Sequence, residues 1–230
     1  MARCYAILPA DGNTIVARLE IHRRAFDLAA SGRAADAFLP LKHPVHNDLE
    51  FDALLDDYRA LELRVGEVMR AVCAPYCGDC PTPCCRIAIC REAGESPFLK
   101  AVHGSRQAFD MKSGYLGTTG CKLGAGRPPV CHAFICGRIM SRQPGEERPY
   151  ALEVLGDLVG YLGKGVWMKR HLVEAMTDAD LRNADRRKFR SRLETAAAAM
   201  DILESYFASG RGLEASERTI LGLIRKPLAA

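Results

Sequence analysis

The sequence predicts a mainly α-helical fold, with helical flanks around an irregular, loop-rich core. Three observations point there. Apolar residues recur at three- and four-residue steps across 51–72 and again from Tyr150 onward, the period of helices that bury one face. Between residues 73 and 149 that period disappears among prolines 75, 81, 83, 97, 128, 129, 144 and 149 and many glycines. The same stretch carries nine of the ten cysteines in the chain. A long loop region inside a compact domain needs something other than regular packing to hold it, and those cysteines are available to do so.

Taken in order, residues 13–39 read as a helix, with Ile15, Leu19, His22 and Phe26 on one stripe and Pro40 as its stop. A stronger helix follows, with Phe51, Leu54, Leu55, Tyr58, Leu61, Val65, Val68, Met69 and Val72 on its apolar face. Asn47 or Asp48 can cap its start, and it is expected to hand the chain over at Cys73. Within the irregular centre, Ile87-Ala88-Ile89 reads equally as a strand or a helical turn. From Tyr150 the stripe Leu152, Leu155, Leu158, Val159 and Leu162 marks another helix, and 166–176 a short one. A long helix is expected over 178–207, with Leu181, Phe189, Leu193, Ala196, Met200, Leu203 and Phe207 inward, ended by Gly210 and Gly212. A short helix over 216–224 closes the chain. The expected organisation is a single domain over 1–230, with 73–138 as its core and 13–72 and 150–226 as helical flanks.

Composition sets the class. The chain is 48% hydrophobic and 26% charged, the balance of an ordinary globular protein. Its first apolar stretch is broken at once by Pro9, Asp11 and Gly12, too soon for a signal-peptide core. No apolar run approaches the ~20 residues that cross a bilayer. A cytoplasmic protein with no membrane partner is the expectation. In a reducing compartment, dense cysteines point to metal binding rather than to disulfides.

The cysteines form two groups. The first reads Cys73-x3-Cys77-x2-Cys80-x3-Cys84-Cys85, and the second Gly120-Cys121, Arg127-Pro128, Cys131 and Cys136. Two thiols separated by two residues reach one ion because the turn between them curls back, and Gly78 permits that turn. The second group is too widely spaced for one turn, so its sulfurs make sense if both groups converge on a shared site. The expected metal ligands are therefore Cys77, Cys80, Cys84, Cys85, Cys121, Cys131 and Cys136, with Cys73 as an extra one. Cys90 is a weaker candidate, and Cys4 reads equally as a small buried hydrophobe. The expected architecture is thus a helical protein whose loop core is stapled by a cysteine metal cluster.

These residues resemble the YkgJ-type family of zinc- or iron-chelating CxxCxxCC domains, which includes relatives of flagellin lysine-N-methylase domains. The resemblance covers 73–138, and its more specific half is the Gly-Cys…Arg-Pro…Cys…Cys run. The first half carries one more residue before the Cys84-Cys85 pair than the family pattern. What the resemblance implies is metal binding, with no particular activity attached.

The surplus of thiols and the absence of a regular zinc ribbon favour an iron–sulfur cluster over Zn²⁺; His132 or His103 joining the ligands would favour zinc. The formal charge of +4 assumes neutral thiols, whereas a four-thiolate centre carries about −2. Arg86, Arg91, Lys122, Arg127 and Arg138 are placed to offset such an anion. Two enzyme readings stand beside simple metal binding. Cys73-x3-Cys77-x2-Cys80 matches radical S-adenosylmethionine spacing, but Asp79 replaces the usual aromatic residue and the alternating strands and helices are missing. A lysine N-methylase-like modification rests on the family resemblance alone. A third reading is a zinc-stabilised module that binds protein or nucleic acid. The basic run Arg186 to Arg192 is flanked by Asp178, Asp180, Asp185 and Glu194, so nucleic acid is not the expected partner. No catalytic pair or triad stands out, and no substrate is named.

Overall fold

In the computed structural model the described residues are 48–77, 86–104, 109–117 and 120–226. They fall in one unit, Asp48–Ala230, and the helix expected over 13–39 lies outside them. The first helix, α1, spans Leu49–Cys77. Asp48 caps it, its carboxylate accepting the Phe51 amide at 3.2 Å. The predicted stripe is the buried one, from Phe51 and Leu54 through Tyr58 and Val65 to Val72. The helix does not stop at Cys73, however, and runs on through Pro75. Proline removes one N–H from the helical ladder, and here the helix ends two residues beyond it.

The irregular centre holds more helix than its prolines suggest. Helices α2 (Ile87–Glu95) and α3 (Pro97–His103) are separated by Ser96 alone. Ser96 Oγ accepts the Leu99 amide at 3.4 Å, Pro97 occupies the first helical position, and Gly104 closes α3 in the left-handed region at φ 68°. Ile87-Ala88-Ile89 is thereby helical. A minimal hairpin follows, in which β1 (Leu116–Gly117) pairs antiparallel with β2 (Gly120–Cys121), Leu116 opposite Cys121. Two short helices, α4 (Pro129–Ala133) and α5 (Gly137–Met140), carry the chain to α6 (Glu147–Gly163).

Helix α6 is the centre of the fold. Its predicted stripe is fully buried, and so are Ala151 and Val154 on other faces, as expected of a helix packed on several sides. The helix expected over 166–176 does not form. Met168 and Lys169 both take positive φ, at 44° and 65°, within a tight turn closed by the Trp167–Arg170 bridge, and only a 3-10 turn, Leu172–Glu174, remains. The long helix expected over 178–207 is two helices, α7 (Asp178–Arg182) and α8 (Arg186–Ser209). Asp185 leaves the helical region and caps α8, accepting the Lys188 amide at 3.0 Å. Stepping from Leu203 by three buries Tyr206, while Phe207 is only partly covered. Gly210 ends α8 at φ 67°, and α9 (Ala215–Ile224) closes the described chain.

Helices α1, α6 and α8 pack on one another, with α3 against α1, α4 across α6, and α9 against α6 and α8. An aromatic cluster ties three of these together. Tyr58 of α1 meets Phe98 of α3 edge-on at 5.0 Å, and Phe189 of α8 lies 6.3 Å from Tyr58 and 6.4 Å from Phe98. Phe189 is fully buried, so Phe189→Ala should lower unfolding free energy by about 3–5 kcal/mol, read from a urea melt.

The end of α6 carries a second constraint. His171 Nδ1 accepts the Val173 amide at 3.2 Å while its Nε2–H donates to the Gly160 carbonyl at 3.0 Å. A Cβ at Gly163 would lie 2.3 Å from the ring, so only glycine lets the imidazole approach. Burial, joined by Arg192, holds the His171 pKa below its usual value, against the Gly160 carbonyl and Glu174. The folded state therefore resists a proton that the unfolded chain takes up as pH falls through about 6.5. Stability should decline below that pH and level off once the folded-state pKa is passed. In denaturant titrations between about pH 7.5 and about pH 5, the decline should be smaller in His171→Asn.

Candidate metal-binding site

The second cysteine group is fastened to α1 by a buried carboxylate. Glu62 lies one helical turn beyond Tyr58, on the stripe that faces the core, and is fully buried. Three donors converge on it. The Gly126 amide donates to Oε2 at 2.7 Å, the Arg127 amide to Oε1 at 2.9 Å, and His132 Nε2–H to Oε1 at 3.0 Å. A carboxylate isolated from water would be strongly disfavoured, and these bonds replace its hydration. The Tyr58 hydroxyl is buried close by, with no hydrogen-bond partner among the described residues. Burial, then the Glu62 charge, pushes its pKa well up, so the phenol stays neutral.

Backbone geometry in the loop matches this tether. Gly126 takes φ 76°, and a Cβ there would sit 2.7 Å from His103 Cβ and 2.8 Å from the Leu99 carbonyl oxygen. Only glycine meets both conditions. Pro128 and Pro129 then open α4, where missing amides leave no helical bond unmade. Beyond them, Gly156 of α6 lets the His132 carbonyl approach, 2.9 Å from where a Cβ would stand. The loop is thus held between α1, α3 and α6.

The predicted ligands fall into place unevenly. Cys121 lies on β2 and Cys131 on α4, both at exposed positions; Cys136 is the half-buried N-cap of α5; Cys73 is half-buried in α1. Cys77 is the last residue of α1, one helical turn beyond Cys73. Cys80, Cys84 and Cys85 lie outside the described residues. Although Cys121 is a surface residue, burial is the largest influence on its thiol and pushes it up. The Leu123 amide and the Arg127 guanidinium favour its thiolate, whereas Cys90 and Glu62 oppose it. Cys90 on α2, the weaker sequence candidate, is therefore brought into the electrostatic surroundings of Cys121. It packs against Gly114, where a Cβ would stand 2.8 Å from its own. Among the described residues no three His, Cys, Asp or Glu side chains are grouped as a metal ion requires.

Neither candidate histidine presents Nε2 for coordination. That of His132 is bonded to Glu62, and that of His103 donates to the Ala93 carbonyl at 3.0 Å. The basic run is likewise engaged. Arg186 pairs with Asp48 and Glu50, Arg190 with Glu50 at 2.6 Å, and Arg192 stacks over Tyr161 at 4.3 Å. Glu62 escaped the sequence reading, though a signal was there: a carboxylate standing on an otherwise apolar helical stripe.

Comparison of the chain with protein-family models, with curated proteins and with solved structures finds no match, so the functional argument rests on the residues themselves. No helix among the described residues is long and apolar enough to cross a membrane.

Replacing Glu62 with Ala strands three donors, the buried Gly126 amide and His132 ring and the part-buried Arg127 amide. The expected loss of stability is a few kcal/mol, roughly 1–3 kcal/mol for each donor left buried without an acceptor, with hydrogen-exchange protection of the Gly126 and Arg127 amides lost first. Retained protection at both amides would contradict the tether.

Proposed function

We propose that this protein binds a metal centre through its two cysteine groups, with Cys73, Cys77, Cys80, Cys84 and Cys85 on one side and Cys121, Cys131 and Cys136 on the other. One observation carries the reading. Helix α1, whose last turns hold Cys73 and Cys77, is also the element to which the second group is fastened. Glu62 holds the loop between Cys121 and Cys131. Helix α5, which Cys136 caps, packs against α1, and Arg142 lies 6.0 Å from the Tyr76 ring in the last turn of α1.

The donor chemistry supports thiolate ligation. Cys90, Cys121 and Cys136 are thiols rather than disulfides. With His132 tied to Glu62, the ligand set is best filled by sulfur alone, which suits an iron–sulfur cluster and equally a four-thiolate zinc site. The thiol surplus makes iron–sulfur the favoured choice. When bound, such a centre would staple the loop core, adding folding energy to that of its apolar packing.

Two measurements test this. Anaerobically purified protein should contain iron and sulfide and absorb near about 400 nm; zinc without that absorbance would replace iron–sulfur with a zinc site. Cys121→Ser and Cys131→Ser should each lower metal content and loosen residues 73–138. Unchanged stoichiometry in both variants would rule out a shared centre.

A further inference from the structure

The segment between α6 and α7 is held closed by two fastenings around a strained turn. Met168 and Lys169, neither of them glycine, both take positive φ, at 44° and 65°, a region that L side chains enter at a cost. The Trp167 and Arg170 backbones close the turn on each other, at 3.3 and 2.6 Å, and the Val166 carbonyl accepts the Asp185 amide at 2.8 Å where α8 begins. Trp167 is buried, yet its indole N–H has no hydrogen-bond partner among the described residues, which adds to the cost of the closed form. On the far side His171 supplies the second fastening. Its ring sits in the space left by Gly163, its Nδ1 accepts the Val173 amide at 3.2 Å, and its Nε2–H reaches back to the Gly160 carbonyl of α6 at 3.0 Å. Just beyond it Leu172 is fully buried, and the 3-10 turn that it opens packs on α3.

This second fastening works in one protonation state only. Neutral imidazole offers one donor and one acceptor, and Gly160 and Val173 use one each; imidazolium offers two donors and no acceptor. With a proton on Nδ1 the Val173 amide loses its acceptor, and turning the ring over does not restore one. The charged groups acting on the ring are Glu174, which eases protonation, and Arg192, which opposes it. Glu174 Oε1 is engaged by the His171 amide at 2.9 Å, while Arg192 of α8 donates to the Tyr161 carbonyl at 2.8 Å and lies over the Tyr161 ring. Lys169 and Arg170 of the turn, Lys164 after α6, Lys188 on α8 and Lys100 on α3 are exposed. We propose that His171 is a proton-operated latch: a proton on Nδ1 releases residues 167–174 from α6, relaxes the turn at Met168 and Lys169, and uncovers Trp167 and Leu172 while the helices stay folded. The segment opens locally, before the core unfolds.

The test reads the latch and the core separately in the full chain. Trp167 is the single tryptophan, so its quenching by acrylamide reports on this segment alone. Hydrogen exchange gives the protection of the Val173 amide beside that of Leu155 and Leu158 in the buried middle of α6. Between about pH 8 and about pH 4.5, Val173 protection, taken relative to the intrinsic exchange rate, should fall below about pH 6.5 by up to about tenfold per pH unit, the limit set by one proton. Val173 should be at least about tenfold less protected than Leu155 and Leu158 throughout, as local opening requires. Trp167 quenching should rise over the same range while far-UV circular dichroism stays unchanged. In His171→Asn the Oδ1 atom accepts the Val173 amide as an N-cap does but takes up no proton, so both profiles should become flat. Gly163→Ala displaces the ring, so Val173 should already be poorly protected at about pH 8. A flat Val173 profile in wild type would overturn the proposal. So would Val173 protection equal to that of Leu155 and Leu158, or a wild-type profile in His171→Asn. Should that variant not fold, wild-type Val173 protection in Gly163→Ala would overturn it instead.

Discussion

A fully buried carboxylate governs the middle of this protein. Glu62 sits where the repeat of α1 calls for an apolar side chain, and it is tolerated because two amides and an imidazole reach it. Such a cluster is demanding, since each member left alone would be a buried polar group without a partner. The arrangement is therefore nearly all-or-none. It fixes where residues 126–132 lie on α1, and Cys131 with them.

Close approach does the rest. Gly126 against α3, Gly156 against the His132 carbonyl and Gly66 beneath Arg127 are three places where a methyl group would collide with the loop or its side chains. Each belongs to a different contact, yet all three serve the same segment. The helical scaffold beneath is conventional by comparison. Helices α1, α6 and α8 bury their apolar faces on one another, and the Tyr58–Phe98–Phe189 cluster brings α3 onto them.

Where the reading from sequence succeeded, a periodic signal was long. The stripes of α1 and α6 repeat over many turns and are the stripes that are buried. It failed where a few residues decide. Asp185 divides what looked like one helix because its side chain caps the second part. Pro75, counted among the prolines of the irregular centre, lies inside the last turn of α1. Ile87 to Ile89 is helical because Ser96 and Pro97 start the next helix, leaving α2 a complete two and a half turns before them. At the site, the cysteine spacing was visible and so was Arg127 as one of five cations. Glu62, and the packing of Cys90 against Gly114, were not, because both depend on elements distant in sequence.

The sequence by itself determined the helical class, the buried faces of the long helices and the two cysteine groups, since all of these are local patterns of spacing and residue type. Tertiary structure decided how the second group is mounted. Glu62 and Gly126 are 64 residues apart, and nothing in the intervening chain says that they meet. Only the packing of α1 against α3, α5 and α6 brings an acid, an imidazole and two amides to one buried point. The same packing lays the Arg127 side chain over Gly66, where a Cβ would stand 2.7 Å from Nη2.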